Sequence, residues 1–312
     1  MQTVRVFAPA SIGNIGPGFD LLGMAIAGMG DIVTAKKSRK PGVTISKITS
    51  EKGAIVGTLP MDADKNTAGI AAAAVLSELK VKEGVTLALH KGVFGTGLGS
   101  SAASSVAAAF AINLLFGNRL SKNDLILSAA VAESTVSGGF FLDNIGPSMM
   151  GGVTWNNPFT KEVVPLGVIE KAIVVIATPN FPILTRESRK ALPKNIPMKT
   201  FISNMAYASM MAWAVAKKDV ERFGCSICDQ VAEPVRAPLI KGFDTVKQAA
   251  MTSGAMGCSI SGAGASVFAI TDHRKKAVKI GAAMEAAFRE HQVSSRITIT
   301  TIDKKGARAI RA

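Results

Sequence analysis

The sequence predicts a two-domain α+β protein, and three observations lead there. Apolar residues alternate over short runs such as Thr3 to Ala8, Val43 to Ile48 and Val85 to Leu89, which is the period of half-buried strands. Stretches of helical composition separate these runs, and three glycine-rich loops punctuate them. After Gly151-Gly152 the pattern changes to strand, helices, strand, helix, strand. A length of 312 residues accommodates two ordinary cores, and we place the boundary near residue 160, giving 1–160 and 161–312.

Taken in order, the first strand runs into Pro9-Ala10-Ser11-Ile12-Gly13-Asn14-Ile15-Gly16-Pro17-Gly18-Phe19-Asp20, where so much Gly and Pro predicts a loop. Asn66-Thr67 is placed to cap a helix through Ala71 to Leu79. The strand at Val85 enters a second loop, Gly92 to Gly99, followed by a small-residue helix from Ser100 to about Leu115. Ser121 with Asp124 forms a capping box for a helix reaching about Glu133. In the second half, Lys171 to Thr178 is a continuous apolar strand. Helices are expected over 199–216, 219–231 and 243–253. The third loop, Ser261-Gly-Ala-Gly-Ala-Ser266, precedes the strand Val267 to Thr271. A helix from Arg274 to His291 and a strand from Arg296 to Ile302 close the order.

The apolar fraction of 48% against 19% charged residues is globular. No apolar run reaches the roughly 18–20 residues of a membrane span, and Met1 to Phe7 has no signal-peptide core. A cytoplasmic protein with no membrane partner is expected. Cys225-Ser-Ile-Cys228 has no second ligand pair, so a reduced structural pair on one helical turn is expected rather than a metal site. A net charge of +14 favours anionic partners, but 5% aromatics leave few stacking platforms for nucleic acid, which is not expected to be a partner.

Chemistry concentrates at Gly95-Thr96-Gly97-Leu98-Gly99-Ser100-Ser101. Glycines between a strand and a helix let backbone N–H groups and the helix dipole face an anion, and the serines add hydroxyls for phosphate or a metal ion. There is no Gly-Lys-Ser or Gly-Lys-Thr, which excludes a Walker-type loop, and the spacing departs from the dinucleotide fingerprint. A second isolated group is Glu133, the only charge between Leu125 and Phe141; a carboxylate there needs a partner.

The loops at Pro9 to Asp20, Gly95 to Ser105 and Ser261 to Ser266 together resemble the three motifs of the GHMP kinase superfamily, in the same order and over nearly the whole chain. Asn14-Ile-Gly-Pro-Gly-Phe-Asp20 and Asp143-Asn144-Ile-Gly-Pro are similar to the versions found in homoserine kinases. The resemblance implies an N-terminal ATP-binding α/β domain with a left-handed-crossover type phosphate loop and a C-terminal ferredoxin-like α+β domain. It implies an ATP-dependent kinase acting on homoserine in threonine biosynthesis, with Mg²⁺; threonine or a mevalonate-like alcohol is the alternative substrate.

On that resemblance, Gly95, Thr96, Gly97, Leu98, Gly99, Ser100 and Ser101 wrap the ATP phosphates, and Ser101 with Glu133 holds Mg²⁺. Asn66 either touches the nucleotide or serves only as a helix cap. Asp20 is expected to hold the substrate amino group and Asn14 a hydroxyl or the same amino group; Arg189 (or Arg186 in the same turn) and Arg236 are expected to bind its carboxylate, and Thr185 is a further substrate contact. Asn144 stands where mevalonate-type members carry a catalytic Asp, and Asp143 is the reserve base; catalysis then rests on positioning and charge neutralisation. The loop around Gly262 and Gly264 is expected to support the phosphate loop from the second domain. One departure stands out: Phe141 occupies a place where homoserine kinases usually carry His. A non-catalytic basic RNA-binding protein is the competing class. The sequence leaves the oligomeric state open, a homodimer among the options.

Overall fold

Strand β1 (Thr3–Gly13) pairs antiparallel along its length with β2 (Leu22–Ser38). The computed structural model describes residues 3–51, 59–93, 96–183 and 185–311. The strand therefore extends through half of the segment expected to be loop. Ala10 and Ile12 are buried in its register with Ile26 and Met24, and Pro9 sits where the pairing slips. β2 carries no alternation to read, because much of it is buried on both faces and spells a nearly unbroken apolar run.

β3 (Val43–Ser50) is followed by α1 (Thr67–Glu78) and then β4 (Gly84–Lys91), which lies parallel to β3 and antiparallel to β2. α2 (Ser100–Leu115) and α3 (Lys122–Ser137) follow, the latter with the expected Ser121–Asp124 capping box. α2 is buried on nearly every side between β1, β2, α1 and α3, which its alanines and serines permit by letting neighbours approach closely. The short α4 (Ile145–Met150) leads to β5 (Val153–Asn156) and β6 (Val163–Gly167) on the open side of β2.

The second sheet starts at β7 (Ile173–Pro179). Then come α5 (Thr185–Lys190), α6 (Met198–Lys217), α7 (Val220–Cys225), α8 (Glu233–Arg236) and α9 (Phe243–Thr252). They are followed by β8 (Gly257–Ile260), β9 (Val267–Thr271), α10 (Arg274–Glu290) and β10 (Ser295–Thr301). The sheet order β10-β7-β9-β8, all antiparallel, is the ferredoxin-like arrangement. β11 (Arg308–Ala309) returns the chain to the first sheet beside β1.

The helix expected over 219–231 ends at Cys225. There the Ser226 hydroxyl turns back to the Arg222 carbonyl at 2.6 Å. Asp229 then collects the N–H groups of Val231, Ala232 and Glu233 at 2.8–2.9 Å, closing a turn instead of a helix. Cys225 and Cys228 therefore share no helical turn; both are free thiols.

The two sheets share a core. Ile12, Ile15, Met24 and Leu98 from the first half pack with Ile176, Phe223 and Phe268 from the second. Burial contributes about 1.5–3 kcal/mol for each large side chain, enough to hold the loops carried by both halves in a fixed relation. No helix among the described residues is long and apolar enough to cross a membrane.

Candidate active site

The glycine-rich loop ends where Gly99, at φ 63°, caps α2 without offering a side chain to its first-turn N–H groups. A helix of this length presents those donors and its positive dipole end to whatever lies above them. The loop is held from the second half. Ser261 Oγ donates to the Gly97 carbonyl at 2.5 Å, Ser266 Oγ to the Thr96 carbonyl at 2.7 Å, and Ala265 N–H to Thr96 Oγ1 at 2.9 Å. Gly97 has φ 83°, and a Cβ there would stand 2.3 Å from the Ser261 carbonyl oxygen, so no other residue fits. The third loop thus holds the glycine-rich loop in place from the second half.

Beneath α2 lies a buried platform. Lys91 is ion-paired with Asp31, donates to Ser104 Oγ at 2.6 Å and to the Ser100 carbonyl at 3.0 Å. Asp31, 1% exposed, also accepts from Ser104 and from the N–H groups of Gly92 and Val93, which tie the start of the loop to β2. The sequence reading missed this pair. The signal was present: Asp31 is the only charge between Leu21 and Ala35.

Asp143 and Asn144 stand at the start of α4, against β1. Asn144 Oδ1 accepts from Ser11 Oγ at 3.0 Å, and a Cβ on Gly13 would lie 2.2 Å from Asp143 Oδ2. Gly13 is thus what lets the carboxyl approach the strand. Asp143, 3% exposed, is pushed up to about 7: burial is the main cause and the Asp20 charge adds to it, while Arg189 pulls the other way. Glu133 is also raised by burial, against the pull of the Ser101 hydroxyl and the Lys91 ammonium.

Asn14 and Asp20 both adopt left-handed backbone, at φ 53° and 57°. Asn14 Oδ1 accepts from the Asp20 N–H at 2.7 Å, closing the loop that presents the Asp20 carboxylate. Arg189 grips that carboxylate with two bonds of 3.1 and 2.8 Å. Arg236, only 3% exposed, donates to the carbonyls of Ser188 at 3.4 Å and Gly262 at 3.1 Å and has no acidic partner among the described residues. Burial and the nearby Arg189 lower its pKa.

A cavity of about 240 Å³ joins these groups. Its lining holds Asn14, Thr96, Gly97, Gly99, Ser100, Ser101 and Glu133 together with Asp143, Asn144, Thr185, Arg189 and Arg236. Asp20 reaches the group through Arg189. Leu98 is packed in the shared core, its carbonyl accepting from Ser11 N–H. Asn66 caps α1, its amide divided between the Ala68 N–H and the Pro60 carbonyl. Arg186 is exposed. Gly95 lies outside the described residues.

Residues 66–152 match the family GHMP kinases N terminal domain, and residues 211–290 match GHMP kinases C terminal. Two sheets of this build, closing over a glycine-rich loop at a helix N-terminus, define the class: an ATP-dependent small-molecule kinase of the GHMP type. The chain is 40% identical to a homoserine kinase of Arabidopsis thaliana, over 99% of this chain and 85% of that one. A homoserine kinase of Chlorobaculum tepidum is 36% identical over 99% of both chains. The crystal structure of homoserine kinase from Cytophaga hutchinsonii ATCC 33406 superposes with a TM-score of 0.92, at 36% identity over 99% of this chain and 98% of that one. The L. major mevalonate kinase, at 17% identity and a TM-score of 0.70 over 96% and 95% of the two chains, shares the fold. The chain belongs to the homoserine kinase family of the GHMP kinases.

Proposed function

We propose that the chain transfers the γ-phosphoryl group of ATP to the side-chain hydroxyl of L-homoserine, giving O-phospho-L-homoserine. The observation that carries this reading is the two-ended character of the cavity. One end is an anion site of backbone donors and first-turn hydroxyls. The other holds Arg189 and the acid-free Arg236, with Asp20 joined to it through Arg189, charges that complement an amino acid zwitterion.

Mg²⁺ fits the phosphate end. Glu133 and Ser101 line one cavity and would offer it oxygen donors, a carboxylate and a hydroxyl that suit a hard cation whose remaining ligands are water and nucleotide phosphates. Bound there, Mg²⁺ supplies charge neutralisation to the transferring phosphoryl group. The protein's own part is placement and proton handling. Ser100, Ser101 and the loop amides fix the phosphates through N–H donors that need no reorganisation. Asn144, oriented by Ser11, and Asn14 direct the substrate hydroxyl. Asp143, pushed up to about 7, accepts its proton in its ionised form as the new P–O bond forms and the bond from the γ-phosphorus to the bridging oxygen breaks, releasing ADP.

A coupled ADP-release assay with ATP and Mg²⁺ over homoserine, threonine, mevalonate and galactose tests the reading. Homoserine is expected to give the highest kcat/KM. No ADP with homoserine, but robust turnover of another alcohol, overturns the substrate while sparing the phosphoryl transfer.

A further inference from the structure

The charges suited to a substrate are already spent on one another. Asp20 and Arg189 form a two-bond pair, and the ring of Phe141 covers the guanidinium, its centroid 3.6 Å from Arg189 Cζ. Phe19 lies 5.1 Å from the same carbon and 4.9 Å from Arg236 Cζ, so both guanidinium groups rest against aromatic faces. The Arg189 Nε is buried with no hydrogen-bond partner, so the pair with Asp20 leaves a buried donor unused. Phe141 and this pair stand between the phosphate-side cavity and a smaller one of about 120 Å³ that Asp20 and Phe141 also line.

We propose that Asp20, Arg189 and Phe141 form an electrostatic latch that only a zwitterion opens cleanly. The inference rests on the amino-acid reading of the site given above. An incoming ammonium replaces Arg189 on Asp20, and the released guanidinium joins Arg236 on the carboxylate, so every charge is again paired. A substrate with a carboxylate but no ammonium must strip Arg189 from Asp20, leaving that carboxylate unpaired beside Asp143. A substrate with an ammonium but no carboxylate leaves Arg189 facing Arg236, which repel. Phe141 is the specificity-determining residue of this device. It adds no hydrogen bond to substrate; its face keeps the guanidinium in the plane that serves Asp20 when the site is empty and the carboxylate when it is filled.

The test compares kcat/KM for L-homoserine, 4-hydroxybutyrate and 3-aminopropan-1-ol. In the wild type each analogue is expected to fall below homoserine by on the order of 10²- to 10³-fold. Asp20→Asn releases Arg189 in advance, so 4-hydroxybutyrate turnover rises in absolute terms, by roughly tenfold, while homoserine turnover falls. Arg189→Met has the mirrored effect, raising 3-aminopropan-1-ol. Phe141→Leu moves the homoserine to 4-hydroxybutyrate ratio in the same direction as Asp20→Asn, by up to roughly tenfold. These gains cannot come from misfolding, and either charge variant suffices if the other fails to fold. A site whose Arg189 stays on Asp20 throughout predicts no gain in any variant, and that result overturns the latch. Wild-type analogues within about threefold of homoserine also overturn it. Absence of homoserine turnover by the wild type overturns the functional reading instead.

Discussion

Asp143→Asn should make the protein more stable above neutral pH and less active at once. The carboxyl is buried and titrates at about 7 instead of 3.8. Between those values the unfolded chain has lost its proton while the folded chain keeps it, so stability falls as pH rises. Above pH 7 the full penalty is on the order of 4 kcal/mol, and below about pH 4 it is absent. An asparagine keeps the shape and the contact with Asn144 but never ionises, so the variant escapes the penalty. Urea unfolding at pH 8.5 should show the variant more stable by about 2–4 kcal/mol, with the difference shrinking as pH drops toward 5. In parallel, kcat should fall by roughly 10²-fold or more, and the wild-type rise of kcat/KM through pH 7 should flatten. A stability difference that does not change with pH, or a variant with unchanged kcat, refutes the argument that a buried, proton-accepting carboxyl sits here.

Three further outcomes follow from other contacts. Gly13→Ala drives a methyl to within 2.2 Å of Asp143 Oδ2, so kcat should drop by more than about tenfold with a melting temperature lowered by several degrees, read by steady-state kinetics and calorimetry. Lys91→Met strands Asp31 in the core and should destabilise by about 3–5 kcal/mol in denaturant unfolding, with Lys91→Met/Asp31→Asn recovering about half. Glu133→Ala should lower kcat by about 10³-fold and weaken the Mg²⁺ dependence, whereas Arg236→Ala should mainly raise the homoserine KM, by roughly 10²-fold. Equal, KM-only effects from the two changes mean that Glu133 has been given the wrong role.

The parts of this architecture written in local sequence were readable. The α2 boundaries, the capping box at Ser121 and the Asn66 cap are set by residues adjacent in the chain, and the structure has them. Long-range burial hid the rest. β2 could not be seen because much of it is covered on both faces, and the continuation of β1 to Gly13 was masked by a glycine and a proline that serve close approach and a register shift. At the site, residue types were legible and pairings were not. Asp20 and Arg189 were each assigned to substrate, but 169 positions separate them, and nothing local says that they hold one another. Phe141 registered as a missing histidine. Its position over the guanidinium required the fold.

The central claim is phosphoryl transfer to the homoserine hydroxyl in this cavity, and product identification by ³¹P NMR tests it most directly. With ATP, Mg²⁺ and L-homoserine, one equivalent of ADP should appear with one equivalent of a phosphomonoester coupled to the homoserine side-chain methylene, and Arg236→Ala should slow its formation at low homoserine. Inorganic phosphate in place of the ester, or an ester formed at the same rate by Arg236→Ala at every homoserine concentration, contradicts the account.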